Sequence, residues 1–270
     1  MGTKITVTDL WKEYPIRNGS LPVLEGIDFT VAEGEFVSII GPSGCGKSTL
    51  LHILAGFDRP NRGAVALDGE LVSGPSPKGI YIFQSGSIFP WLTVQRNLMF
   101  GLNCLPRAEK RRLADYYAEL VGLKGFEQVF PSQLSGGMRQ RLEVARALIV
   151  KPEVLYMDEP FGSLDALTRL QMRLELLRIL FHQRHTILLV THDVEEALHL
   201  ADRILLLSAR PARIQSIVDV PFPHPRKLSN PALVELKEQI LRELGVENAV
   251  WPSVTGKRPM KVCRCGHRPT

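Results

Sequence analysis

No stretch of this 270-residue sequence approaches the ~18 consecutive apolar residues that a membrane-spanning helix needs. The N-terminal MGTKITVTDLWKEY has no apolar core of the kind a signal peptide carries. Cysteine is scarce, at 4 residues, which excludes a disulfide scaffold and favours a reducing compartment. Internal repeats and low-complexity segments are absent. Acidic residues are missing from positions 256–270, where Lys257, Arg258, Lys261, Arg264 and Arg268 lie. Those five cations equal the formal net charge of +5, so residues 1–255 are formally neutral. A nucleic-acid-binding face on the main body loses its compositional support, and no nucleic-acid partner is expected. Cys263, Cys265 and His267 in the tail are too few and too tightly spaced for a structural zinc site.

What is present is a globular composition, with 44% hydrophobic and 23% charged residues. Residues 3–10 alternate and read as a strand. Short apolar runs at 35–40, 79–83, 154–157, 186–190 and 203–207 read as strands, several of them buried on both faces. Helical patterns alternate with them, at 47–55, 138–149 and from Pro231 to Leu244 behind an Asn230 N-cap. Leu164, Leu167, Leu170, Leu174 and Leu177 fall at helical spacing, with Arg169, Arg173 and Arg178 among the polar positions. Alternating strands and helices predict an α/β core with a mostly parallel sheet.

Residues 41–49, GPSGCGKST, satisfy G-x-x-x-x-G-K-[ST] between a strand and a helix. The run is Gly41, Pro42, Ser43, Gly44, Cys45, Gly46, Lys47, Ser48 and Thr49. Its glycines let backbone N–H groups approach phosphate oxygens, and the helix N-terminus adds favourable potential. Lys47 is expected to reach the β- and γ-phosphates of ATP, and Ser48 to ligate Mg2+. The apolar strand VLYM ends in Asp158 and Glu159. Asp158 fits a Mg2+ role, and Glu159 fits polarisation of an attacking water. His192 follows the strand TILLV and is expected at the γ-phosphate or against Glu159.

Between loop and acids lies LSGGM, comprising Leu134, Ser135, Gly136, Gly137 and Met138, ahead of a helical run. It resembles the signature motif of ATP-binding-cassette proteins, and the likeness extends over residues 3–245. The resemblance implies a P-loop NTPase (RecA-like) core. To this it adds an N-terminal antiparallel β portion and an inserted α-helical subdomain. The core covers 3–87 and 151–220, the helical signature subdomain 88–150 and a C-terminal helical extension 221–245. Residues 246–270 read as a basic, flexible tail.

The resemblance further implies roles for individual residues. Gln84 matches the family's Q-loop glutamine, a metal ligand. Ser163, Leu164 and Asp165 match its D-loop, and His192 its switch histidine. An upstream aromatic stacks on adenine in this family, and Tyr14 is the choice here, with Trp11 as runner-up. The signature serves the ATP of an opposing subunit, so a head-to-tail homodimer is implied. Met138 replaces the commoner glutamine, and Arg96 stands where relatives often carry an acid.

GPSPKGIYIFQ at 74–84, FPWL at 89–92 and SARPARI at 208–214 resemble ATPase subunits of nitrate, sulfonate and taurine importers and their pyrimidine-precursor relatives. Such subunits work with Mg2+ and ATP at the cytoplasmic face of the membrane. Their partners are two transmembrane permease subunits and, indirectly, a periplasmic or extracellular solute-binding protein. A soluble, non-transport cassette ATPase is the competing function.

Overall fold

The structure, a computed structural model, describes residues 2–84, 86–162, 166–181 and 185–246. In chain order it runs β1 (Thr3–Ile16), β2 (Gly19–Ala32), β3 (Phe36–Ile40), α1 (Lys47–Leu54), β4 (Arg62–Leu67), β5 (Glu70–Leu71), β6 (Gly79–Ile82), α2 (Val94–Met99), α3 (Arg107–Leu120), α4 (Gly136–Leu148), β7 (Val154–Asp158), α5 (Ala166–Phe181), β8 (Thr186–Thr191), α6 (Val194–Leu200), β9 (Arg203–Leu207), β10 (Ile214–Asp219) and α7 (Pro231–Glu243).

β2, β1, β4 and β5 form an antiparallel sheet in that order. The other sheet has the order β10-β9-β3-β8-β7-β6 and is parallel except for the β9–β10 edge. The expected mostly parallel core and antiparallel N-terminal portion are both present.

The central strands read as unbroken apolar runs because each serves two cores. Phe36 and Ile40 of β3 enter one core, while Val37 and Ile39 enter the other. Leu155 and Met157 of β7 alternate with Val154 and Tyr156 in the same way, as do Ile187 and Leu189 of β8 with Leu188 and Val190. Side chains on a strand alternate faces, so a sheet covered on both sides needs apolar residues at every position. One core lies between this sheet, α1 and the antiparallel sheet. The other runs from the opposite face through α2, α3, α4, α6 and α7. Asn230 caps α7, its side chain accepting from the Ala232 N–H at 3.1 Å, and Pro231 takes the first helical position.

α5 departs from its expected amphipathic face. Leu167, Leu170 and Leu174 are exposed, Leu176 and Leu177 are buried, and Arg173, expected among the polar positions, is 5% exposed. The guanidinium goes inside because two carboxylates of the next helical segment meet it there, and a paired charge is tolerated in a core. Leu164 lies outside the described residues.

Parallel pairing brings the carboxyl ends of three strands together. Ile40 of β3 lies opposite Thr191 of β8, and Asp158 of β7 lies opposite Val190 of β8. The residues that follow these positions, Gly41, Glu159 and His192, therefore emerge at one edge, where ligands bind in open α/β sheets.

Candidate functional site

The phosphate loop turns out of β3 under tight constraint. A Cβ added to Gly41 would sit 3.0 Å from Cys45 Sγ and Leu207 Cβ. Gly46 has φ +123, and a Cβ there would meet Val23 Cγ1 at 2.8 Å. Only glycine satisfies both the conformation and the space. The N-cap of α1 is Gly46, so no side chain caps the helix, and its first N–H groups remain for an anion. A Cβ on Gly44 would meet nothing within 4 Å, so the outer side of the loop is open. Lys47 is buried, and its Nζ donates to the carbonyls of Gly41 and Pro42 at 2.9 and 3.0 Å. The ammonium is thereby folded into the loop it serves. Cys45 is buried beneath the loop, and burial raises its thiol pKa, which keeps it protonated.

Asp158 stands at the end of β7 with both oxygens engaged. Ser48 donates to Oδ1 at 3.1 Å and Tyr81, from β6, donates to Oδ2 at 3.1 Å. Burial, reinforced by the Asp158 charge, holds the Tyr81 hydroxyl well above the ordinary tyrosine range. The phenol therefore stays a donor.

Glu159 adopts φ +44, a left-handed conformation unusual outside glycine, while its N–H donates to Val190 O at 2.9 Å. That kink turns the side chain away from the strand direction. Its Oε2 accepts from Gln84 Nε2 at 3.2 Å and lies 3.3 Å from His192 Nδ1. The His192 side chain is 60% exposed, so its ring reaches outward from the cluster. Gln84 spends its amide nitrogen on Glu159, which leaves its carbonyl oxygen as a ligand atom. The available donors are a hydroxyl, a carboxylate and an amide oxygen. All are hard oxygen atoms, and they fit Mg2+, which takes one or two carboxylates together with substrate phosphates.

The structure thus brings Lys47, Ser48, Asp158, Glu159, Gln84 and His192 to one edge of the sheet. LSGGM lies elsewhere on the surface. Ser135 caps α4, its hydroxyl accepting from Met138 N–H at 3.2 Å. Leu134 anchors the motif in the core, whereas Ser135 and Gly136 are exposed. A Cβ on Gly136 would meet nothing within 4 Å. Among the described residues, no hydrogen bond or ion pair joins this motif to the phosphate loop. Ser163, Leu164 and Asp165 lie outside the described residues, as do Cys263, Cys265 and His267 of the tail.

Tyr14 and Trp11 have different surroundings. The Tyr14 hydroxyl donates to Asp58 Oδ2 at 2.6 Å, and the Lys12 ammonium sits 4.7 Å from its ring centroid. Burial and the bond to Asp58 raise its pKa, while a bond to Thr49, in the phosphate-loop run, acts the other way. Tyr14, 36% exposed, therefore lies beside the phosphate loop. Trp11 instead donates to Asp9 Oδ1 at 2.6 Å and packs against Gly26 and the Arg62 guanidinium. Against the burial that favours its neutral form, Asp58 is held below the usual carboxylate range by Lys12 and Tyr14.

Sequence reasoning missed Tyr81 and Asp58. Tyr81 was hidden in a strand run whose other members are apolar. The signal was the phenol itself, since a buried tyrosine hydroxyl needs a partner. Asp58 carried no local signal, because its partners come from β1.

An aromatic surface adjoins Gln84 in the chain. Trp91 and Phe100 are exposed, and Phe89 packs between them with centroid separations of 5.4 and 4.4 Å. The Arg146 guanidinium lies 4.1 Å from the Phe89 ring centroid and donates to Ser87 O. The buried Asn97 amide donates to the carbonyls of Phe89, Leu92 and Thr93 at 3.1, 2.9 and 3.1 Å, and accepts from Phe89 N–H at 2.9 Å. Buried polar groups thus fix the loop that presents the exposed rings.

Residues 24–162 match the ABC transporter family model. The chain is 41% identical over 239 residues to the aliphatic sulfonates import ATP-binding protein SsuB of Bacillus cereus, covering 88% of this chain and 95% of that one. It is 43% identical over 246 residues to an uncharacterized ABC transporter ATP-binding protein of Methanocaldococcus jannaschii, covering 90% and 92%. Among solved structures, a dimeric ATP-binding cassette bound to ADP and Pi has a TM-score of 0.71 at 28% identity, covering 81% of this chain and 100% of that chain. Likeness of this extent, carried by a chain whose phosphate loop faces two acids and a histidine, makes it a member of the ABC transporter family and an ATPase.

Proposed function

We propose that this chain is the ATP-hydrolysing subunit of an importer for small anions of the sulfonate, nitrate or taurine kind. The observation that carries the catalytic reading is the seat of Glu159, whose Oε2 lies between Gln84 and His192, one residue beyond the Asp158–Ser48 pair. Ser48, Asp158 and the Gln84 carbonyl oxygen would hold Mg2+, which when bound neutralises charge on the β- and γ-phosphates.

Lys47 leaves the Gly41 and Pro42 carbonyls to meet phosphate oxygens, and the α1 N-terminus supports the same charge. Glu159 orients a water toward the γ-phosphorus and accepts its proton as the O–P bond forms and the bond to ADP breaks. His192 carries a ring N–H toward the γ-phosphate while Glu159 steadies its other nitrogen. The exposed ring of Tyr14 stacks on adenine, with the hydroxyl anchored by Asp58.

Residues 3–245 form the cassette, with 88–150 as its helical arm and 221–245 as its extension. The exposed LSGGM motif supplies N–H donors to ATP held by a second copy, so the working unit is a head-to-tail homodimer. A solved relative of this fold, a cassette bound to ADP and Pi, is dimeric. The Phe89, Trp91 and Phe100 surface docks a segment of each of two permease subunits, and an external binding protein delivers the solute. The sulfonate importer relative supports the substrate class.

Reconstitution tests this reading. The chain, co-purified with its permease in liposomes and supplied with Mg·ATP, should take up a labelled short alkanesulfonate when the binding protein is present. Stable isolation with DNA or ribosomes, and no stimulation by any permease, would overturn it.

A further inference from the structure

His192 is exposed, yet both residues flanking it are tied down. On one side, Thr191 Oγ1 donates to Glu196 Oε2. On the other, Asp193 caps α6 by accepting from Glu196 N–H at 3.1 Å, and its own N–H donates to Thr191 Oγ1 at 3.0 Å. The charge that closes this cluster comes from a different element. Arg173 of α5 donates through Nη2 to Asp193 Oδ2, and Arg169 Nη1 lies 3.7 Å from the same oxygen. The Arg173 and Glu196 side chains are 6% and 4% exposed. Two arginines and two carboxylates balance formally, and buried charges are found in such pairings.

One pairing in the cluster is open. Arg173 Nε and Glu196 Oε1 both lack a hydrogen-bond partner, and they face each other at 3.9 Å. A displacement of about 1 Å along that line would bring them within hydrogen-bond range. The present arrangement leaves this pairing unmade, and closing it would take only a small shift of α5 against the Thr191–Asp193 turn.

We propose that Arg173 is a positioning residue for His192. It couples the location of α5 to the aim of the imidazole through Asp193 and Glu196. Fixed flanks are what set the 3.3 Å approach of His192 Nδ1 to Glu159 Oε2. Arg173 and Glu196 are both buried, and neither is among the residues proposed to contact ATP. The inference rests on the reading of His192 as a γ-phosphate contact.

The test is a kinetic double-mutant cycle on the full-length chain, combining Arg173→Met with His192→Ala. Arg173→Met alone should lower kcat for ATP hydrolysis by about tenfold or more with KM for ATP unchanged, as expected when a reacting group is mis-aimed. It should also shift the His192 ring resonances in the NMR spectrum. In the His192→Ala background the same substitution should cost almost no further kcat, because its effect runs through the missing ring. Should Arg173→Met not fold, Arg173→Lys is read by the same criteria, since a lysine keeps the charge but cannot fork between two carboxylates. Additive losses in kcat, or an unmoved His192 resonance, would overturn the role of Arg173. Full activity of His192→Ala alone would instead remove the underlying reading of His192.

Discussion

The Tyr81 hydroxyl donates to Asp158 Oδ2 at 3.1 Å, opposite the Ser48 hydroxyl on Oδ1. The carboxylate expected at the metal is therefore oriented from two elements, β6 and α1. Tyr81→Phe removes one of them without changing the packed ring. Divalent-metal affinity should fall by about tenfold, the scale seen when a partner of a ligand is lost. Electron paramagnetic resonance titration of Mn2+ with a non-hydrolysable ATP analogue measures it. Unchanged Mn2+ affinity would show that Ser48 alone orients Asp158.

Glu159→Gln keeps the size of the side chain and its contact with Gln84, but the amide cannot accept the proton of the attacking water. Turnover should fall by roughly 10²-fold or more while ATP binding persists. The variant should accumulate as a dimer at saturating Mg·ATP. Size-exclusion chromatography with light scattering reads this directly, and a persistent monomer would contradict the head-to-tail arrangement.

Asn97 is fully buried and satisfies three carbonyls and one N–H of the turn that carries Phe89 and Trp91. Asn97→Ala takes the partner from the Leu92 carbonyl and the Phe89 N–H, while Thr93 O keeps the backbone N–H of residue 97 and Phe89 O that of Leu92. Folding stability should drop by roughly 2 kcal/mol, the usual cost of orphaned buried polar groups. ATP affinity should be preserved while permease-stimulated activity falls. Chemical denaturation and reconstituted ATPase assays separate the two effects.

His224 has its pKa pushed down to about 4, chiefly by burial and then by the Arg226 charge. The unfolded chain takes up this proton near the ordinary value of 6.5, before the folded chain does. The unfolded state therefore binds more protons in that window, and stability contributed by His224 is lost as pH falls from about 6.5 toward 4. A His224→Gln variant lacks this component. The stability difference between wild type and variant should move in favour of the variant on acidification, while groups common to both cancel. Denaturation curves at pH 7 and pH 5 test this, and a pH-independent difference would count against it.

Much of the candidate site was legible in the sequence, because its residues fall in local patterns. GPSGCGKST specifies a glycine-rich turn between a strand and a helix, and MDE specifies acids at the end of an apolar strand. These signals require only neighbours in the chain. The phosphate loop, the two acids, LSGGM and the histidine turn could all be located, and the alternation of strands and helices indicated the parallel sheet.

The direction of α5 was not legible. Its leucines predicted an apolar face, yet Leu167, Leu170 and Leu174 are exposed and Arg173 is buried. Periodicity scores hydrophobicity alone and cannot register two carboxylates arriving from α6 and its cap. Tyr81 and Asp58 were missed for the same reason, since their partners Asp158 and Tyr14 are 77 and 44 residues away in sequence.

The sequence by itself determined which residue types stand at strand ends and loop turns, because backbone conformation and period are local properties. Only the tertiary structure decided which of those ends meet. Parallel pairing of β3, β8, β7 and β6 places Ile40 beside Thr191, Val190 beside Asp158 and Ile82 beside Met157, so that Gln84 and His192 meet on one oxygen of Glu159. That convergence is a consequence of sheet register and of burial, which depend on segments far apart in the chain.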